Sequence, residues 1–260
     1  MTLAQLAKAG AWQLELVHDR PYHLFIWITR GQGVALLDGM RRGVGTHNAL
    51  FIPAGSLFSL DLLRQGFGQA LCIPAGRELT LPEEVTHLRI REVQAQNELT
   101  TLLEMMGREQ NAGRPLHQTA MACHAELVAV WLRRHLDQAE RPEDSASARL
   151  MGAYAGVVAA EYASGQSMAE LAGHLGVTPT HLTRVCRAAT GKTAATLLTE
   201  RALHAARTLL ITSDVSVRDI ARHLGFGSAA YFTRFIQSHC GMTPTALRQA
   251  AQSAPPLAPR

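Results

Sequence analysis

The chain has 260 residues and a mass of 28.2 kDa, a length that suits two ordinary domains better than one. Hydrophobic residues make up 47% of it and charged residues 18%, a composition that excludes wholesale disorder. Residues 1–145 hold 14 Lys and Arg against 16 Asp and Glu, whereas residues 146–260 hold 11 against 5. The C-terminal part is therefore the basic one, and nucleic acid is the first partner to consider for it.

The cysteines and the apolar runs restrict the compartment. Four widely spaced cysteines have neither the paired spacing of a zinc site nor the density of a disulfide scaffold: Cys72, Cys123, Cys186 and Cys240. The first ten residues lack the pattern of a secretion signal, and no apolar run approaches the roughly 20 residues of a membrane helix. We therefore expect free thiols, no membrane partner and a cytoplasmic protein.

The N-terminal third alternates short apolar runs with glycine and proline. The predicted strands are 22–29, 33–37, 50–52, 57–62, 69–73 and 87–90. The turn residues between Gly31 and Gly76 recur at the spacing of an all-β barrel or sandwich, and the helical patterns of a parallel βαβ fold are missing. Residues 1–95 are therefore predicted to form a β-barrel domain.

Helical periodicity follows in residues 97–110 and 116–138. The second of these helices carries more apolar surface than one stripe needs: Leu127, Val130, Trp131, Leu132 and Leu136. It either packs on its own barrel or forms the seam of a homodimer, and we favour the homodimer because two-fold association is common. We assign 96–145 to a helical dimerisation segment and place the linker at 141–147, which is polar and contains proline.

The basic part contains an internal repeat. Ala-Gly-His-Leu-Gly-Val at 172–177 recurs as Ala-Arg-His-Leu-Gly-Phe at 221–226, an offset of 49 residues (221 minus 172). Each copy predicts a helix, a turn at Gly176 or Gly225, where a residue without Cβ adopts positive φ freely, and a second helix. Predicted N-caps define the helix starts: Ser167, Thr178, Ser216 and Ser228. The two predicted helix-turn-helix units span 168–189 and 216–239, within a domain that covers 146–250, and 251–260 is predicted to be a disordered tail.

The second helix of each unit has an apolar and a polar face. The residues predicted to point inward are Leu182 and Val185 in the first copy, and Phe232 with Phe235 or Ile236 in the second. The residues predicted to contact DNA are Thr180, Thr183, Arg184 and Arg187, followed by Ser228, Ala229, Ala230, Thr233 and Arg234. Arginine reaches guanine edges and phosphates, and threonine offers a hydroxyl and a methyl group.

A single helical pattern, 193–210, connects the units. At 1.5 Å per residue its 18 residues span about 27 Å. Such a spacer would hold the two second helices about one DNA turn apart, roughly 34 Å, so that one chain reads two successive major-groove segments.

Three segments carry a specific resemblance: Asp-Ile-Ala-Arg-His-Leu-Gly-Phe at 219–226, Tyr-Phe-Thr-Arg at 231–234 and Gly-Met-Thr-Pro-Thr-Ala-Leu-Arg at 241–248. Residues 150–250 resemble the DNA-binding domain of the AraC/XylS family of transcription regulators. The resemblance implies two helix-turn-helix motifs joined by a helix, with base contacts at Thr180, Thr183, Arg184, Ala229, Ala230, Thr233 and Arg234. The chain departs from the family at 193–194, which is Thr-Ala instead of Ser-Pro. Alanines at 229 and 230 offer no hydrogen bonds, so the second unit is expected mainly to hold the DNA backbone.

The first half is similar to the arm-and-cupin effector domain of sugar-responsive family members, at Ile-Thr-Arg-Gly-Gln-Gly (28–33), Gly45 and Phe-Ile-Pro-Ala-Gly (51–55). Catalytic cupins bind a metal through two closely spaced histidines, and this pattern is missing, with Phe58 where a ligand histidine is expected. We therefore predict no metal and no cofactor. An apolar pocket at His23, Phe25 and Trp27 would suit a small organic effector.

These patterns together predict a multidomain α+β protein with a cupin-like barrel and a C-terminal all-α domain. The expected function is that of a DNA-binding transcription regulator controlled by an organic effector, non-enzymatic, with RNA polymerase as a further possible partner. Two alternatives stay open. One is a cupin enzyme fused to a DNA-binding domain, and the other is a regulator without a small ligand, which a well-filled barrel would favour.

Overall fold

The structure, a computed structural model, describes residues 1–63, 66–76, 79–139 and 145–253. It consists of an N-terminal β-sandwich, two helices that cover one of its sheets, and a helical C-terminal part. This arrangement confirms the predicted fold class, a multidomain α+β protein with a β-rich first half and an all-α second half.

Among the described residues, the sandwich has seven strands: β1 (Tyr22–Arg30), β2 (Gln32–Leu37), β3 (Met40–Gly45), β4 (Asn48–Ile52), β5 (Phe58–Asp61), β6 (Phe67–Pro74) and β7 (Thr86–Arg89). One antiparallel sheet has the order β6-β1-β4-β7 and the other has the order β3-β2-β5. The strand β3 was not predicted, because its glycines, Gly43 and Gly45, indicated a turn. Glycine is tolerated in β3 because this strand lies at the edge of its sheet.

The strand β1 is buried on both faces. Leu24, Ile26 and Ile28 point into the space between the two sheets, where they belong to an apolar core. Phe25 and Trp27 point to the opposite face and belong to a second core with the covering helices. All five side chains are 1% exposed or less, so β1 has no polar face that would orient it.

The covering helices are α3 (Val93–Ala112) and α4 (His117–Arg134). Trp131 and Leu132 of α4 are each 1% exposed and pack on the protein's own sheet, which contradicts their predicted place in a dimer seam. Apolar area pressed against the sheet is removed from water as completely as at a subunit contact, so a wide apolar stripe does not distinguish the two. Leu127 stays 49% exposed.

Two short helices precede the sandwich, α1 (Leu3–Leu6) and α2 (Trp12–Glu15). No helix was predicted in this part of the chain. Thr2 is the N-cap of α1 and forms a capping box with Gln5, so this helix begins at Leu3.

Between residues 145 and 253, the C-terminal range that the structure describes, there are seven helices: α5 (Ala146–Glu161), α6 (Met168–His174), α7 (Pro179–Thr190), α8 (Ala194–Thr212), α9 (Val217–His223), α10 (Ala229–Cys240) and α11 (Pro244–Ser253). Ser145 caps α5, so helix replaces the last two residues of the predicted 141–147 linker, and 141–144 lie outside the described residues. The predicted disordered tail is helical at 251–253, and 254–260 lie outside the described residues.

The sandwich and the C-terminal helices share buried surface. Val17, Leu36 and Leu57 belong to one apolar cluster with Met151 and Tyr154 of α5. The same cluster includes the inward face of α7. The first helix-turn-helix unit therefore shares its core with the sandwich.

Candidate nucleic-acid interface

The two helix-turn-helix units start and turn as the sequence predicts. Each predicted N-cap side chain accepts a hydrogen bond from the backbone three residues later: Ser167, Thr178, Ser216 and Ser228. At Ser167 the capping box is complete, and hydrogen bonds from Ser167 hold the pKa of Glu170 below its usual value. The turn glycines have positive φ, 67° at Gly176 and 73° at Gly225. Both features confirm the predicted local structure.

Helix α7 presents a polar face to solvent. Leu182, Val185 and Cys186 are buried, which confirms the predicted inward face. Thr180, Arg184 and Arg187 are exposed on the other side, and Thr183 is half-buried beside them. These four residues and Pro179 line one shallow depression of the surface.

Helix α10 repeats the arrangement with an offset of 50 residues, one more than α6 to α9, because the second turn contains Gly227 in addition. Phe232 and Ile236 are buried, while Ala230 and Arg234 are exposed. Under this offset Thr180 corresponds to Ala230, Thr183 to Thr233, and Arg184 to Arg234. Ser228 corresponds to Thr178, so Ser228 occupies the capping position, and Ala229 is half-buried.

Sequence reasoning missed two residues of the exposed faces. His181 is exposed on α7, and its Nδ1 lies 3.2 Å from an Arg184 guanidinium nitrogen. This contact orients Arg184 across the polar face. Gln237 is exposed and corresponds to Arg187, so the second face carries an amide where the first carries a cation. The offset of 50, which only the extra turn residue reveals, would have identified Gln237.

The hydroxyl of Thr233 donates to the backbone oxygen of Ala229 at 2.9 Å. This bond uses the hydroxyl proton of Thr233 within the helix. Ala229 and Ala230 carry only methyl groups, so the N-terminal half of the α10 face offers few hydrogen-bond donors.

Helix α8 connects the two units and is clamped by the segment that precedes the sandwich. It has 19 residues, which correspond to about 28 Å, close to the predicted length. Arg201 pairs with Asp19 and lies 3.7 Å over the Tyr162 ring. The ring of His204 stacks on that of His18 at 4.1 Å, and the guanidinium of Arg207 covers Trp12 at 4.3 Å. These contacts fix α8 to the N-terminal part.

The predicted effector residues do not face the interior of the sandwich. Trp27 donates from Nε1 to the hydroxyl of Thr100 on α3 at 3.1 Å, and Phe25 meets the Trp131 ring edge-on. His23 accepts from the Ala54 backbone at 3.2 Å. Phe25 and Trp27 belong to the core between the sheet and the covering helices. An effector site at His23, Phe25 and Trp27 stays a prediction.

The interior of the sandwich is filled by apolar side chains from both sheets, including Leu24, Ile26, Leu37, Phe58 and Leu60. Within the described part of the chain, no three His, Cys, Asp or Glu residues lie close enough together to hold a metal ion. None of the helices described is both long and apolar enough to cross a membrane.

Comparisons with known proteins agree with the C-terminal geometry. Residues 171–250 match the family model of a helix-turn-helix domain. No curated protein matches the chain.

Several solved structures are similar. The fatty-acid-bound ToxT from Vibrio cholerae is 14% identical, covers 90% of this chain and 88% of its own, and has a TM-score of 0.45. The C-terminal domain of AraT, a response regulator from Geobacillus stearothermophilus, is 22% identical over 42% of this chain and 88% of its own, with a TM-score of 0.38. The C-terminal domain of the response regulator yesN from Fusobacterium nucleatum is 21% identical over 37% of this chain and 94% of its own, with a TM-score of 0.36. At these TM-scores the similarities carry no argument about binding.

Two capped helix-turn-helix units joined by one helix, in the basic part of the chain, define a DNA-binding protein of the helix-turn-helix class. Residues 171–250, which match the family model, are the helix-turn-helix domain of this chain.

Proposed function

We propose that this chain is a transcription regulator of the AraC/XylS type, and that it reads DNA by placing α7 and α10 in two successive major-groove segments on one face of the duplex. The observation that carries the proposal is the correspondence of the two exposed faces under the 50-residue offset, with Arg184 and Arg234 at equivalent positions. Clamping of α8 would keep the two helices at a fixed separation, as a site with two parts separated by one DNA turn requires.

In this proposal the first unit supplies most of the base readout. Arg184 would donate to a guanine edge, held in position by His181, and Arg187 would contact a base edge or a phosphate. Thr180 and Thr183 would offer hydroxyl and methyl groups to neighbouring bases. This face has the larger number of side chains that can donate hydrogen bonds.

The second unit would mainly hold the backbone. Its apolar N-terminal half, at Ala229, Ala230 and the Thr233 methyl group, offers contact to thymine methyl groups and little hydrogen bonding. Arg234 and the capped N-terminus of α10 at Ser228 would contact phosphates. Sequence preference in the second half-site is therefore expected to be weaker than in the first.

The DNA assignment is tested with Arg184→Ala in the full chain. Loss of one good bidentate base contact costs about 1 to 3 kcal/mol and relaxes the preference at one position of the site. Selection of bound sequences from a random DNA library, followed by fluorescence anisotropy at one fixed salt concentration, measures both quantities. Arg91→Ala, an exposed arginine of the N-terminal part, is the matched control. An unchanged sequence preference in Arg184→Ala would contradict the assignment.

We further propose that a small organic effector controls the DNA affinity of the chain. On the promoter, the chain would act as a homodimer and would contact RNA polymerase. The filled interior between the sheets favours an effector site elsewhere on the N-terminal part, or a regulator without a small ligand. Light scattering after size exclusion measures the oligomeric state, and a monomer at micromolar concentration would contradict the homodimer.

A further inference from the structure

A cleft of about 920 Å³ lies outside the sandwich, between the first residues of the chain, the edge strand β6 and the C-terminal half of α3. Its volume is within the range of small-molecule sites, roughly 300 to 1,000 Å³. The backbone of Met1 exchanges hydrogen bonds with that of Ala70 on β6, at 3.1 and 2.8 Å. The first residues thus form a wall that is attached to the sheet edge.

The floor of the cleft is apolar, and three charged side chains line the cleft: Lys8, Arg108 and the carboxylate of Glu104. Leu71, Leu103, Met106 and Met121 form the floor, and methionine side chains adapt to ligands of irregular shape. Lys8 and Arg108 stand exposed at the rim. In the described ranges of the chain neither of these two cations forms an ion pair.

A glycine lines the cleft on the side of α3. Gly107 lies in the interior of this 20-residue helix. A Cβ atom added at Gly107 would meet nothing within 4 Å, and its φ is not positive. A side chain introduced at this position therefore extends into open space at the cleft, and a large one would occupy it.

From this geometry we propose that the cleft binds a small organic anion with an apolar body. The body would lie on the leucine and methionine floor, and the anionic group would lie between Lys8 and Arg108. A ligand of this class removes apolar surface from water and places its charge where two cations attract it. The proposal names the site and ligand class of the effector control proposed above, and it rests on that control for its regulatory meaning.

The probe for this site is 1-anilinonaphthalene-8-sulfonate, an aromatic anion whose fluorescence rises in apolar surroundings. We expect saturable binding to the full chain and loss of this binding in Gly107→Phe, because the benzyl group occupies the cleft. Gly107→Ala is the matched control, since a methyl group leaves the cleft open, and it should bind the probe like the unaltered chain. Equal binding by Gly107→Phe and Gly107→Ala would overturn the proposal.

A second pair of variants tests the charges without filling the cleft. Reversing both rim cations, in Lys8→Glu with Arg108→Glu, is expected to weaken probe binding about tenfold, as two exposed charge interactions allow. Arg91→Glu changes an exposed arginine beyond the other end of α3 and should leave the affinity unchanged. An unchanged affinity in the doubly reversed variant, or a loss as large in Arg91→Glu, would overturn the placement of the anion.

DNA affinity, measured on the same preparations, separates this inference from the function on which it rests. Probe binding that depends on Gly107 and the rim cations supports the site, whatever the DNA result. If binding of the probe leaves the DNA affinity unchanged, the proposed effector control is wrong, but the proposed binding site is still supported. If DNA is bound specifically and the probe is not bound at all, the site fails and the DNA-reading function stands.

Discussion

Lowering the pH should destabilise the contact between α8 and the N-terminal part through a buried histidine pair. His18 is fully buried and His204 is 6% exposed, and their rings are stacked nearly parallel at 4.1 Å. Burial lowers the pKa of both, with the neighbouring cations Arg20 and Arg201 adding to the effect, and the pKa of His204 falls to about 3. Both rings are therefore neutral in the folded protein at neutral pH.

The sign follows from proton uptake by the unfolded chain. An unfolded histidine has a pKa of about 6.5, so below this pH the unfolded state binds protons that the folded state does not. Stability is complete above about pH 6.5 and falls as the pH drops towards the folded pKa values. At pH 5.5 the loss is about 1.4 kcal/mol for His204, whose folded pKa lies far below that pH, and the lowered pKa of His18 raises the loss for the pair towards about 3 kcal/mol.

Urea unfolding of the full chain at pH 7.5 and pH 5.5 measures this loss. The double variant His18→Phe with His204→Phe keeps two stacked rings but cannot take up the protons, so its stability should fall by up to about 3 kcal/mol less between the two pH values. His223→Gln, which changes an exposed histidine of α9, is the control and should behave like the unaltered chain. An equal pH dependence in the double variant would refute the assignment of the effect to this pair.

Three further predictions concern stability and use the same urea assay. Gly225→Ala should cost about 3 kcal/mol or more, because its Cβ would lie 2.4 Å from the Ala163 carbonyl oxygen, whereas Gly176→Ala, with open space around it, should cost about 1 kcal/mol for its positive φ alone. Equal losses in the two variants would contradict the close approach at Gly225. Leu182→Ala removes a fully buried side chain from the core that α7 shares with the sandwich and should cost about 2 to 5 kcal/mol. Tyr154→Phe removes the hydroxyl that donates to the α8 backbone at 2.8 Å and should cost about 1 kcal/mol.

The helix-turn-helix units could be predicted from sequence because their signals are local. Caps at Ser167 and Ser216 and the turn glycines act within four residues of their own position, so a single sequence displays them. The inward residues of α7 and α10 could be predicted from the 3.6-residue period, since each helix has one apolar face and one solvent-exposed polar face. The fold of the two helix-turn-helix units could therefore be predicted from the sequence alone.

The sandwich gave a weaker signal for a physical reason. Residues 24–28 of β1 are buried on both sides, so the period of two that normally separates an inner from an outer face is absent. Phe25 and Trp27 could be recognised as core residues, but not assigned to the helix-covered face. A similar ambiguity led to the prediction that Trp131 lies in a dimer seam, because the apolar pattern of a helix does not identify the surface against which it packs.

The two halves are separate segments of the chain, but they pack against each other through a shared apolar cluster. Tyr154 and Met151 of α5 lie in one apolar cluster with Leu36 of the sandwich. Gly39, at the tip of the β2–β3 hairpin, lies very close to α5, because a Cβ added there would be 2.8 Å from the Met151 carbonyl oxygen. A fragment that starts near residue 146 would expose this surface to water, at a cost that grows with the apolar area exposed. Because α7 and α8 both contact the N-terminal part, a shift of the sandwich would change the position of a reading helix directly. The effector control proposed above would therefore need no long path between the two halves of the chain.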